Sequence, residues 1–169
     1  MNEQKFIVAT IDFVDSKGVL PEIRDLVQAL GVSKDEAAAF KNSKAYAKLK
    51  AARSKCGKER LAGFKGFANF YKWHSLQEPK CHYCGTSQDE LNELFERGLV
   101  SSKKFGATLH IERKHPDKGY NADNCVLACS LCNNAKSDMI SAANFKQYFA
   151  KSVRDFVCDL LNGKITNQI

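Results

Sequence analysis

Cys81-His82-Tyr83-Cys84 and Cys129-Ser130-Leu131-Cys132-Asn133-Asn134-Ala135-Lys136 are the stretches whose reading decides the fold. Each Cys-x-x-Cys turn aims two thiolates at one point, and two such turns complete the tetrahedron of a structural zinc ion. Cys81, Cys84, Cys129 and Cys132 are therefore the expected zinc ligands. The competing readings are two unrelated pairs or a redox pair. A zinc clip makes no demand on the segment it encloses, yet Leu109-His110-Ile111-Glu112-Arg113-Lys114-His115-Pro116-Asp117-Lys118-Gly119-Tyr120, followed by Asn124-Cys125-Val126-Leu127-Ala128, is polar and ordered in a way the clip does not require.

Working outward, the charge is uneven. Residues 41 to 80 hold eleven lysines and arginines against Glu59 and Glu78, an excess of nine that is larger than the net charge of +7 for the whole chain of 169 residues. An excess concentrated like this suggests a surface that tracks phosphate, although for any single lysine a solvated helix face is the plainer reading. With 44% hydrophobic residues the chain can bury a real core, and no stretch reaches the apolar length of a membrane span. Met1-Asn2-Glu3-Gln4-Lys5 leads only into a short apolar run, so no signal peptide is read. The expectation is a cytoplasmic protein, away from membranes, with thiols reduced or on zinc, and with Cys56, Cys125 and Cys158 as small buried hydrophobes or inert thiols.

Along the chain, Phe6 to Ile11 reads as a strand, with a first helical turn close behind, and Asp15-Ser16-Lys17-Gly18 as a turn. Ile23, Leu26, Val27 and Leu30 give a helix after Pro21 that Gly31 ends. Ser33 and Glu36 form a capping box opening a helix through Phe40 and Tyr46 to about Leu49. This helical pair invites comparison with a helix-turn-helix, but plain packing explains it as well. Phe64, Phe67, Phe70, Tyr71 and Trp73 recur as the buried side of another helix. Thr86 or Ser87 caps a helix carrying Leu91, Leu94, Phe95 and Leu99; Ser101-Ser102-Lys103-Lys104 is a loop; Thr108 to Arg113 and Cys125 to Ala128 are strands; Ser130 to Asp138 is a helix; and Asn144 through Leu161 is one closing helix. His74 and His82 read as structural.

The order of a Cys-x-x-Cys, a strand ending in acidic and basic residues, a glycine-containing turn, Asn124 ahead of an apolar run, and Cys-x-x-Cys-Asn followed by lysine resembles the HNH, or ββα-metal, endonucleases in their four-cysteine form. The resemblance covers about residues 81 to 137, and residues 1 to 75 carry none. It implies an α+β fold, mostly helical, with a ββα-metal module stapled by the zinc site. The chain is accordingly expected to divide into a helical region at 1–75 whose basic charge suits it to hold DNA, the nuclease module at 76–140, and a packing helix at 141–169.

The resemblance also implies a metal-dependent endonuclease hydrolysing phosphodiester bonds of double-stranded DNA. By position, Glu112 and Asn133 would hold the catalytic metal, and their oxygens suit Mg²⁺ or Mn²⁺ beside the structural Zn²⁺. Asn124 corresponds to the middle asparagine that pins the loop and orients the general base. Where the family places that base, directly after the acid, this chain has Arg113, which stays protonated. His110, on the same strand face as Glu112, comes first as its replacement. His115, in a Glu-Arg-Lys-His pattern similar to the Asp-Arg-Gly-His of the nonspecific ββα-metal nucleases, comes second. Arg113 and Lys114 would clamp phosphate, with Lys136 assisting. Arg113 also keeps open a catalytically inactive, zinc-stabilised nucleic-acid-binding module, and beyond that a structural adaptor. A homodimer is compatible with the sequence, and the DNA specificity and biological role are not written in it.

Overall fold

Glycines at 18 and 31 and serines at 33, 43, 87 and 141 punctuate the chain into short helices, each glycine closing one in the left-handed conformation or each serine opening one as its N-cap. The computed structural model describes residues 2–101 and 105–166, so most of the loop expected at 101–104 lies outside the described residues. These residues form two compact units, Met1–Leu76 with Tyr120–Ala122, and Gln77–Gly119 with Asp123–Ile169. Among them no helix is long and apolar enough to cross a membrane.

The first unit is helical: α1 (Glu3–Lys17), α2 (Ile23–Leu30), α3 (Lys34–Lys41), α4 (Lys44–Lys55), α5 (Lys58–Gly63) and α6 (Phe67–Ser75). The ambiguous run from Phe6 belongs to α1. Phe6, Thr10 and Val14, four apart, are its buried face, and a β-branched run without a partner strand gains nothing from an extended backbone. The turn expected at Asp15 is displaced to the end of the helix, where Gly18 has φ 72°.

The capping box of Ser33 and Glu36 forms as expected. The helix it opens stops earlier than its apolar spacing suggests, because the Ser43 hydroxyl accepts from the Tyr46 amide and starts α4. Phe6 stacks on Phe40 with ring centroids 4.8 Å apart, and Phe40 meets Tyr46 edge-on. Phe64, Phe67, Phe70 and Trp73 are buried as the periodicity predicts.

Gly66, at φ 119°, offers no side chain to cap α6, and the Asp15 carboxylate supplies the missing acceptor to the amides of Phe67 and Ala68. Tyr120 groups with this unit through the Arg60 guanidinium, 4.9 Å from its ring centroid.

The second unit carries α7 (Gln88–Glu96), strands β1 (His110–Arg113) and β2 (Cys125–Ala128), then α8 (Ser130–Lys136), α9 (Ala142–Tyr148) and α10 (Ala150–Leu161). The strands are antiparallel, with His110 opposite Ala128 and Glu112 opposite Val126. The fold class is thus the expected one, mostly helical with a small two-stranded sheet. Thr108 and Leu109 precede β1 instead of joining it; the Gln88 side chain takes the Leu109 amide. The closing helix is two helices, since Phe149, at φ −118°, ends α9 and caps α10. Leu91, Leu94, Phe145, Val157 and Leu160 form the core that carries the hairpin, and Arg154 of α10 forks onto both oxygens of Glu90 at 2.8 and 2.9 Å.

Candidate functional site

Cys81 to Gly85 turns tightly, with the Gly85 amide on the Cys81 carbonyl at 2.9 Å, and the His82 amide bonds to Leu127 of β2 at 2.7 Å. The knuckle is thereby fixed to the hairpin. Cys129 is the N-cap of α8, and Cys132 follows one turn later. All four sulfurs are buried and lie within 4.8 Å of one another, with Cys84 and Cys129 at 3.7 Å. Zn–S bonds of about 2.3 Å at tetrahedral angles set sulfurs roughly 3.8 Å apart, so the cluster fits a zinc ion.

The thiols also show why a cation belongs there. Hydrogen bonds from Cys129, Cys132 and Cys84 pull the Cys81 thiol far below its ordinary range, and those from Cys129 and Cys132 bring Cys84 to about 7. The same contacts drive Cys132 strongly upward, because one thiolate opposes the next until a divalent charge is shared among them. Cys56, by contrast, is pushed up to about 11 by burial and stays a thiol.

β1, a loop carrying a 3-10 turn at Pro116–Lys118, β2 and α8 follow in that order, with Cys129 capping the helix, Cys132 within it, and the first two cysteines on the knuckle bonded to β2. This is the order of knuckle, strand, loop, strand and helix that the sequence leads one to expect around a four-cysteine site. A solved structure described as the rare-cutting HNH restriction endonuclease PacI, in connection with DNA perturbation, is similar over 73% of this chain and 83% of its own, at 24% identity and a TM-score of 0.46. No family model and no curated protein matches the chain. The chemistry of the hairpin and its helix is therefore read from their own side chains.

Asn124 is buried at the start of β2 and spends its whole amide on the loop before it. Its Oδ1 accepts the His115 amide at 3.0 Å, while its Nδ2 donates to the carbonyls of His115 at 2.8 Å and Gly119 at 2.7 Å. Its own carbonyl takes the Lys114 amide at 2.8 Å. His115 is thus held at both ends of its backbone while its imidazole stays exposed. His110 is also exposed, but at the other end of β1, where its ring lies against Gly106 so closely that a side chain at 106 would collide with it.

Glu112 is buried, and both its oxygens are engaged. The Tyr83 hydroxyl donates to Oε2 at 2.6 Å, and the Lys136 ammonium sits 2.8 Å from Oε1. Lys136 is wholly buried and also donates to the Ser137 carbonyl at 2.9 Å. Burial and the bond to Glu112 push the Tyr83 hydroxyl well above its ordinary range, so it remains a donor. Asn133, expected as the second hard donor, lies half-buried on α8. A carboxylate and an amide would suit Mg²⁺ or Mn²⁺ in kind, and an ion held by Glu112 would compete with Lys136 for it. Arg113 turns back along its own chain to the Pro116 carbonyl at 2.9 Å, with Asp138 at 4.0 Å, and Lys114 is half-buried beside it.

Two features escaped the sequence reading. The sequence assigns Tyr83 no role and has Lys136 assisting on phosphate, whereas Lys136 is wholly buried against Glu112 and so does not face a phosphate in this arrangement. A signal for the latter existed: Lys136 lies four residues after Cys132, on the buried face of α8.

Proposed function

We propose that the chain is an HNH-type endonuclease that hydrolyses phosphodiester bonds of double-stranded DNA. The observation that carries this reading is the grip of Asn124 on both ends of the His115 peptide, which presents an imidazole from a rigid backbone beside the zinc-riveted hairpin. An imidazole can take the proton of an attacking water at neutral pH, which Arg113 cannot. His115 is accordingly assigned as general base ahead of His110, whose ring lies against Gly106 at the other end of β1. Asn124 is a positioning residue, and Lys114 and Arg113 flank the scissile phosphate. Glu112 and Asn133 would hold Mg²⁺ or Mn²⁺ once Lys136 gives way. When bound, the ion neutralises charge on the phosphate and the departing oxygen.

A second reading, a zinc-stabilised module that binds nucleic acid without cutting it, is favoured by the Glu112–Lys136 pair, since a carboxylate already neutralised has less call for a metal. Plasmid nicking with Mg²⁺ or Mn²⁺, against an EDTA control, separates the two. The endonuclease reading expects nicking that vanishes in His115→Ala and Glu112→Gln and survives in His110→Ala. Retention of DNA with no nicking under any divalent ion establishes the second reading instead.

A further inference from the structure

The helical unit carries a charged surface to which the hairpin chemistry assigns no role. Between Glu36 and Glu59 the chain has no acidic residue, and seven lysines and arginines lie in that interval. Some have structural work. Lys41 pairs with Glu22 at 3.0 Å, and Arg53 donates to the carbonyls of Cys56 and Gly18. Lys44, Lys48 and Lys50 of α4 do not: they are exposed, and none pairs with a carboxylate among the described residues.

Their arrangement works against the helix that bears them. Lys44 and Lys48 are a like-charge pair one turn apart, and Lys44 begins a helix that has no acid in its first turn to meet the positive end of the dipole. A merely solvated face would gain from mixed signs. α4 buries Tyr46, Leu49 and Ala52, so the opposite arc faces solvent. At about 3.6 residues per turn, Lys44 and Lys48 line one edge of that arc and Lys50 the other. Ala47, Ala51 and Ser54, all exposed, lie between them.

We propose that α4 docks in the major groove of duplex DNA, with Lys44 and Lys48 on one phosphate backbone and Lys50 on the other. This rests on the reading of double-stranded DNA as substrate. A helix about 10–12 Å across matches a groove about 12 Å wide, and small residues between the lysine rows let its backbone approach the groove floor. Single strands are recognised by stacking on exposed rings, and the one aromatic residue of α4, Tyr46, is buried.

The test is binding of the full zinc-loaded chain, without added Mg²⁺ or Mn²⁺, to a fluorescent duplex and to its single strand, titrated from low to high salt. The triple variant Lys44→Gln/Lys48→Gln/Lys50→Gln is expected to lower the salt slope by about 3, near 0.9 for each lost phosphate contact. Ala51→Trp is expected to weaken duplex binding at least about tenfold with an unchanged slope. Should the triple variant not fold, Lys44→Gln and Lys48→Gln alone must each lower the slope by about 1. A triple variant with wild-type slope and affinity overturns the proposal for α4 while leaving the DNA reading intact. Loss on removing the lysines with no effect of Ala51→Trp overturns groove entry, as does a preference for the single strand. A wild-type chain that retains no DNA at low salt overturns both this proposal and the endonuclease.

Discussion

Asn124 holds His115 by donating to its carbonyl and accepting from its amide, so one buried side chain fixes the backbone that presents the imidazole. Asn124→Ala leaves two carbonyls and one amide without this partner. It is expected to cost about 1–3 kcal/mol of stability, read from the urea midpoint. Nicking should fall as far as in His115→Ala. A variant as stable as the wild type, or one that cuts normally, would remove Asn124 from this role.

Zinc is expected at one ion per chain, measured by metal analysis after dialysis. Cys129→Ser should lose it and, with it, the cooperative near-UV melt of the second unit, because the knuckle and α8 meet at the sulfur cluster. The first unit, whose core is formed by helices α1 to α6, should keep its far-UV signal.

Lys136→Met strips the counter-ion from a buried carboxylate and is expected to destabilise by about 3–5 kcal/mol. The double variant Glu112→Met/Lys136→Met removes both charges and should recover most of that loss in urea unfolding. If Mn²⁺ competes with the ammonium for Glu112, Lys136→Met should also bind Mn²⁺ more tightly, as followed by paramagnetic resonance. Equal affinity in the two proteins would place any catalytic ion elsewhere.

Much of this was legible in the residues, and the division follows how far each interaction reaches. Ser33 with Glu36, and Ser87 with Glu90, are three apart, so both capping boxes can be read directly. The knuckles and the hairpin carry their own spacing. The breaks at Ser43 and Phe149 were hidden because apolar positions continue in helical phase across them; Ser43 acts through a bond that competes with the helix interior. Within the candidate site the residue types were visible, but their partners were not. Asn124 reaches nine residues back to His115, and Tyr83 reaches across to Glu112, pairings that only the folded chain defines.

The Arg154 guanidinium holds the Glu90 carboxyl down to about 2, helped by the Ser87 amide and hydroxyl. The folded value lies below that of the unfolded chain, so the ionised form favours folding. Its contribution is complete above about pH 4.5 and is lost as pH falls toward 2. Arg154→Ala is expected to remove about 1 kcal/mol near neutral pH, the pair being partly exposed and screened, and almost nothing at the acid end. Thermal melts of both proteins across this range should converge as pH drops.

Tyr83 stands between Cys81 and Cys84, so the loop that brings these two thiols into the sulfur cluster also delivers the hydroxyl seated on Glu112. Starving the protein of zinc, or oxidising its knuckle, would slacken that tether and strand the carboxylate with a single counter-charge. Whatever loosens the sulfur cluster would thereby reach Glu112 through Tyr83, well before the rest of the second unit came apart.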